Sequence, residues 1–299
     1  MNVFVLLLIS FAASLGGSVC SKLCSNAVVG HSKGRYAVFM VVNGIIACIF
    51  FFVSGGFRLE ANMPTLIYAA IYTVIVVFSL VSNMIALKYI NIVALTVVIN
   101  TLGLIASSAV GAWLFNETVD GRKIARIAIM LVSVVLFAAD GVVGKKKEKD
   151  SRKFSLMAVI IIIVMLAVNC ANTVVTKYYA LDTRVVGENS FFFFTNVFLI
   201  VASAVVVIFE LIRSPEEIKK VTPLFRPLNL LALSGNTVCS NIGSLVSLLL
   251  LAQMEVSVLS PISSALGILV GFIGSLIFRE KLGVLSYLGV LGALAAVII

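Results

Sequence analysis

Charge is the scarcest ingredient of this sequence. Only 12% of its 299 residues are Asp, Glu, Lys or Arg, against about 25% in a soluble domain. A chain so poor in charge cannot cover its own surface in water, which excludes an ordinary soluble globular protein. Histidine is nearly missing: His31 is the single copy, with no evident partner. The five cysteines (Cys20, Cys24, Cys48, Cys170, Cys239) fall in apolar stretches without metal-ligand spacing. They read as small packing groups and not as a disulfide framework. The sequence also lacks a Ser/His/Asp set, a phosphate-cradling glycine loop and a pair of acids inside any apolar stretch. Catalysis, ATP hydrolysis and a bound cofactor or metal are therefore not expected, and the chain is not read as an enzyme.

What is present is apolar. Hydrophobic residues make up 61% of the chain and mean hydropathy is +1.18. Runs of about 18 to 25 apolar residues match a bilayer core about 30 Å thick, and lipid forces each run to satisfy its backbone groups as a helix. Ten such spans are expected, over residues 2–24, 36–54, 64–87, 90–114, 124–143, 154–177, 190–212, 228–251, 256–278 and 282–299. No basic region precedes the first run, so it is read as a permanent span and not as a cleaved signal.

The second half of the chain echoes the first. The stretch ending Leu114-Phe115-Asn116-Glu117 returns as Ile277-Phe278-Arg279-Glu280, with the two glutamates 163 residues apart. Gly17 to Lys22 aligns with Asn172 to Lys177 at an offset of 155. The strongly polar linker 144–153 separates residues 1–143 from 154–299, giving two repeats of five spans each. An odd number of spans per repeat inverts one half relative to the other, a plan common among secondary transporters. The expected fold is an all-α polytopic membrane protein of ten transmembrane helices arranged as two inverted five-helix repeats.

The net charge of +9 sets topology and does not point to nucleic acid. Lys33, Arg35, Lys88, the six basic linker residues, Lys219, Lys220, Arg226, Arg279 and Lys281 share one side of the expected topology. Arg58, Arg122, Lys123 and Arg184 lie on the other. The richer side is expected to be cytoplasmic, which puts both termini outside a plasma membrane.

These residues resemble a family. The duplicated five-span half, the Ala86-Leu87-Lys88-Tyr89 ending of span three, and the apolar-x-Glu endings of spans four and nine are similar to the EamA-type members of the drug/metabolite transporter superfamily. The resemblance covers nearly the whole chain and implies ten spans and transport of small molecules. The small four-span relatives that expel cationic drugs use an acidic residue in their first helix. Here span one offers only serine, glycine and cysteine, and span six asparagine and threonine.

Polar residues inside spans are costly and are the default functional candidates. Span six carries Asn169, Asn172, Thr173 and Thr176 at spacings that keep them on one helix face. Span one presents Ser14, Gly17, Ser18 and Ser21 at the equivalent repeat positions. Span eight adds Asn236, Ser240, Ser244 and Ser247, span three Ser79, Ser82 and Asn83, span four Asn100, and span nine Ser263. For the hydroxyls the competing account is a bond back to their own helix, and for the rest interhelical hydrogen bonding. Lys22 and Lys177 are repeat equivalents that either snorkel to the interface or face an anionic group. Glu117 and Glu280 are expected to cap the helices that follow them. Gly103, Ser107 and Gly111, with Ser263, Gly267, Gly271 and Ser275, form small-residue rows expected to pack span four on span nine. Pro261 should bend span nine.

The expectation is a secondary transporter for a small polar or zwitterionic metabolite, working by alternating access in the lipid bilayer with a proton or ion as a possible coupling partner. A flippase for a lipid-linked sugar or other amphiphile, and a membrane receptor that transports nothing, are the alternatives.

Overall fold

The computed structural model describes residues 2–28, 33–89, 104, 107–118, 120–143, 156–213, 225–278 and 283–298. They hold ten helical segments, and no strand occurs among them. Numbered to match the expected spans, these are α1 (Val3–Val28), α2 (Lys33–Ser54), α3 (Met63–Tyr89), α4 (residues 107–114) and α5 (Gly121–Val143). The second half holds α6 (Leu156–Leu181), α7 (Glu188–Arg213), α8 (Pro227–Gln253), α9 (Val256–Ile277) and α10 (Val284–Ile298). Five of them (α1, α2, α7, α8 and α9) are long and apolar enough to cross a membrane. The chain is a helical membrane protein. The apolar parts of α3 and α10 described here, Met63–Ser79 and Val284–Ala296, are shorter.

The chain folds into two compact units, each drawing on both sequence halves: 1–74 with 178–249, and 75–177 with 250–299. Contacts, not chain order, define them.

In the first unit α2 lies along α7. Gly44 makes this possible, because a Cβ there would stand 2.6 Å from Ile200 Cγ1. Below that contact Phe51 stacks on Phe192 (5.3 Å) and Tyr179 on Phe191 (4.2 Å), around Ala47, Ala69 and Leu248. Polar ties cross the same core. Thr73 Oγ1 donates to the Thr195 carbonyl at 3.1 Å, and Thr237 Oγ1 donates to Asn43 Oδ1 at 2.5 Å. The loop 182–187 is pinned to the start of α3: Asn62 Nδ2 donates to the Arg184 carbonyl, and the Val186 N–H donates to Thr65 Oγ1. Within that loop, hydrogen bonds from the Arg184 guanidinium and its backbone N–H hold the Asp182 carboxyl down at about 2.

Ile200 is β-branched, with one strongly preferred helical rotamer, and cannot swing away freely. Gly44→Ala is therefore expected to destabilise the protein by about 1–3 kcal/mol through overpacking. Gly243→Ala, where a Cβ meets nothing within 4 Å, is the matched control and should be neutral or slightly stabilising. Thermal unfolding of the two variants side by side checks this.

α1 and α8 meet through reciprocal glycine–cysteine contacts. A Cβ on Gly16 would stand 3.0 Å from Cys239 Sγ, and one on Gly235 would stand 2.9 Å from Cys20 Sγ. Position 16 opposes 239 while 20 opposes 235, so the helices run antiparallel, as spans one and eight of a multi-pass chain should. Cys20, Cys48, Cys170 and Cys239 are free thiols. The reading of Cys20 and Cys239 as packing groups holds in this contact.

In the second unit α5, α9 and α10 close around Leu104, Met130, Val134, Ala265, Ile268, Val290, Ala293 and Ala296. Pro261 is fully buried in the second turn of α9, where its missing N–H costs one bond, and the helix continues through it to Ile277. The small-residue rows are only partly placed. Gly111 of α4 does approach α9, within 3.3 Å of the Ser257 nitrogen, whereas Gly267 has no described atom within 4 Å of where a Cβ would stand. The part of span four holding Gly103, with Asn100, lies outside the described residues. So do Glu280, His31 and the linker 144–153.

Candidate functional site

The second unit contains a recess between α3 and α6. Ile75, Val76 and Ser79 form one wall; Val168, Asn169 and Asn172 form the other. It encloses about 300 Å³ of empty space, counting the part open to the surroundings. The 3.6-residue period explains α6's contribution, since positions 168, 169 and 172 fall on one side of the helix. Six residues line the recess: three are aliphatic, three carry neutral hydrogen-bonding groups, and none is ionisable. Such a surface can bind and orient a neutral group, and it offers no acid or base to move a proton.

The side chains of the α6 stripe divide by what their polar atoms already do. Thr176 is buried, and its hydroxyl donates to the carbonyls of Asn172 (2.8 Å) and Thr173 (3.1 Å). Thr173 donates to the Asn169 carbonyl and lies 3.5 Å from Ser107 Oγ of α4. For these two hydroxyls the bond back to the helix is the observed state, as β-hydroxyl side chains in helices commonly show. Asn172 differs. Its Oδ1 is buried without a hydrogen-bond partner, and it belongs to a residue that lines the recess. Unmade bonds of this kind cost about 1–3 kcal/mol, so an orphaned acceptor at a recess marks a place for a donor.

The other candidates lie elsewhere. In the first unit Ser14, Ser18 and Ser21 of α1 and Ser240 of α8 are exposed, meaning uncovered by the chain. A Cβ on Gly17 would stand 3.7 Å from Asn236 Oδ1 and 3.9 Å from Ser240 Oγ. The polar faces of α1 and α8 therefore share one contact, a pairing that the repeat offset did not suggest. Ser244 returns its hydroxyl to the Ser240 carbonyl. Ser263 is exposed on α9. Lys22 and Asn83 sit in α1 and α3, with their side chains outside the described set.

Lys177 requires a correction. It neither snorkels nor presents a free charge to an anion: it is buried, 7% exposed, and its Nζ donates at 2.7 Å to the carbonyls of Leu251 and Met254. Those carbonyls belong to the C-terminal end of α8, where the helix leaves acceptors unsatisfied and carries partial negative charge. Lys177 is a cap supplied from another helix.

Glu117 requires a second correction. The helix after it, α5, is capped by Asp120, whose Oδ1 accepts the Lys123 N–H at 2.9 Å. Glu117 instead caps α9: its Oε1 accepts the Val256 N–H at 2.7 Å and its Oε2 the Ser257 N–H at 2.9 Å. Glu255 occupies the N-cap position of α9 but makes no side-chain cap bond, because its carboxylate pairs with Lys123. Asn116, with φ of 50°, turns the chain so that Glu117 points back, and Gly111 leaves the room, since a Cβ there would stand 2.5 Å from Glu117 Oε2. The short joint between α8 and α9 is thus gripped from both sides, a cation on the negative helix end and a carboxylate on the positive one.

The aliphatic half of the recess, Ile75, Val76 and Val168, was invisible in the sequence, because valine and isoleucine in a membrane span look alike whatever they face. The unpartnered oxygen of Asn172 had no sequence signal beyond its being an amide within a span.

No family model and no curated protein matches the chain. Chains of solved structure do match, 28 of them. One, a crystal structure described only as that of a protein, superposes with a TM-score of 0.63 over 98% of this chain and 95% of its own, at 14% identity. That likeness concerns fold alone.

Proposed function

We propose that this protein is a secondary transporter that carries a small polar or zwitterionic metabolite across the plasma membrane by alternating access, without ATP. The observation that carries the proposal is the recess on α3 and α6, where Ser79, Asn169 and Asn172 offer neutral hydrogen-bonding groups within otherwise apolar helices. Polar groups at such depth are expensive and are retained where they serve a solute. The resemblance to EamA-type drug/metabolite transporters points the same way, as do two five-span repeats of opposite orientation with a basic cytoplasmic side and both termini outside. Under this reading the protein is not an enzyme, and a proton or ion supplies the driving force.

Counterflow in liposomes across a metabolite panel tests the proposal. Replacing Ser18, Asn169 and Asn172 together by alanine is expected to lower the flux at least about tenfold, since each lost hydrogen bond to solute contributes about 0.5–1.5 kcal/mol. Wild-type flux from the folded triple variant would sink the site assignment. Lipid scrambling without solute flux would shift the reading to a flippase.

A further inference from the structure

The recess says more about its occupant than polarity does. Three observations bear on it. Asn172 Oδ1 is a buried acceptor with no partner. Half of the lining is aliphatic, from Ile75, Val76 and Val168. No lining residue carries a charge. An unpartnered acceptor calls for a donor, which excludes a group that is acceptor only, such as an ester or ether. An uncharged, half-aliphatic wall is a poor place for a full charge, because an ammonium or a bare cation would give up hydration against valine and isoleucine with nothing to replace it. An occupant with an apolar, branched or cyclic body and a neutral N–H or O–H at its edge satisfies all three.

We propose that the α3–α6 recess is a subsite for a neutral hydrogen-bond donor, an amide N–H or hydroxyl on an apolar body, and that Asn172 Oδ1 is the acceptor that selects it. The inference rests on the transport reading and narrows it: any charged end of a zwitterionic substrate is held away from these six residues. Asn172 then discriminates by the cost of leaving its oxygen unpaired. A site built to receive a donor rejects an analogue lacking one far more sharply than an apolar wall rejects a change of one methylene.

The test uses two isosteric probes on the full chain in lipid nanodiscs, with empty nanodiscs as the partition control. N-methylisovaleramide offers one N–H; methyl isovalerate has the same shape with an ester oxygen in its place; isovalerate adds the charged case. Dissociation constants come from saturation-transfer NMR titrations. The amide is expected to bind about tenfold more tightly than the ester, the loss that one unmade hydrogen bond produces, and isovalerate is expected to bind more weakly still. In Asn172→Leu the amide-to-ester ratio should fall to about one, while Asn172→Asp, which keeps an acceptor oxygen, should retain a preference for the amide. Equal binding of amide and ester to the wild type, a preference that survives in Asn172→Leu, tightest binding of isovalerate, or binding of none of the three overturns the inference. If Asn172→Leu fails to fold, the wild-type ratio alone decides. Counterflow is measured separately. Amide selectivity without flux of any solute leaves the subsite standing and removes the transport reading; flux indifferent to donors does the reverse.

Discussion

Glu117→Ala is expected to cost about 3–5 kcal/mol, the largest loss of any single substitution considered. Its carboxylate accepts two backbone N–H groups at the start of α9, at 2.7 and 2.9 Å. Hydrogen bonds to a charged partner contribute about 1.5–3 kcal/mol each. Alanine leaves both donors without an acceptor where the chain excludes water, and empties the space that Gly111 leaves open. Glu117→Gln keeps one acceptor oxygen and should lose roughly half as much. Equilibrium unfolding in mixed micelles measures both variants. Identical unfolding of Glu117→Ala and wild type would remove Glu117 from the role of cap.

Lys177→Met is the second, with an expected loss of about 3–5 kcal/mol, the range seen when one member of a buried charged group is removed. Methionine keeps the apolar stem and deletes the ammonium, so the Leu251 and Met254 carbonyls lose their donor. Glu117 and Glu255, close enough to act on Lys177 electrostatically, lose their positive neighbour. The readout separates two roles for this lysine. As a cap, its loss lowers the unfolding midpoint while transport per folded molecule is kept. As an anion-binding residue, its loss would leave the midpoint unchanged and abolish transport. The double variant with Glu117→Ala should lose less than the two single losses together, because both side chains hold the same joint.

The two glutamate-ended turns show how far sequence reasoning reached. That Glu117 caps a helix was legible, because a carboxylate just beyond an apolar span has few other uses. Which helix it caps was not. Sequence proximity favoured α5, but Asp120 already occupied that N-terminus, and the left-handed Asn116 turned Glu117 towards α9. Lys177 failed differently. A lysine near a span end ordinarily snorkels, and only packing that brings the end of α8 against α6 gives its ammonium carbonyls to bind. The cysteines read correctly, since a free thiol in an apolar helix is a small hydrophobe in any fold; that Cys20 and Cys239 would each seat over a glycine required the α1–α8 contact.

By itself the sequence determined that this is a helical membrane protein, where most helices run, and that the polar stripe on α6 is a place to look. These follow from local physics: hydropathy and helical period are properties of one segment in one solvent. Only the tertiary structure decided that Asn172 lines a recess with a bare oxygen while Thr176, one turn along the same stripe, is spent on its own backbone. It decided as well that Lys177 and Glu117 grip one joint from residues far apart in the chain. A polar atom's role depends on whether a partner comes within about 3 Å, and that is settled by which helices pack together.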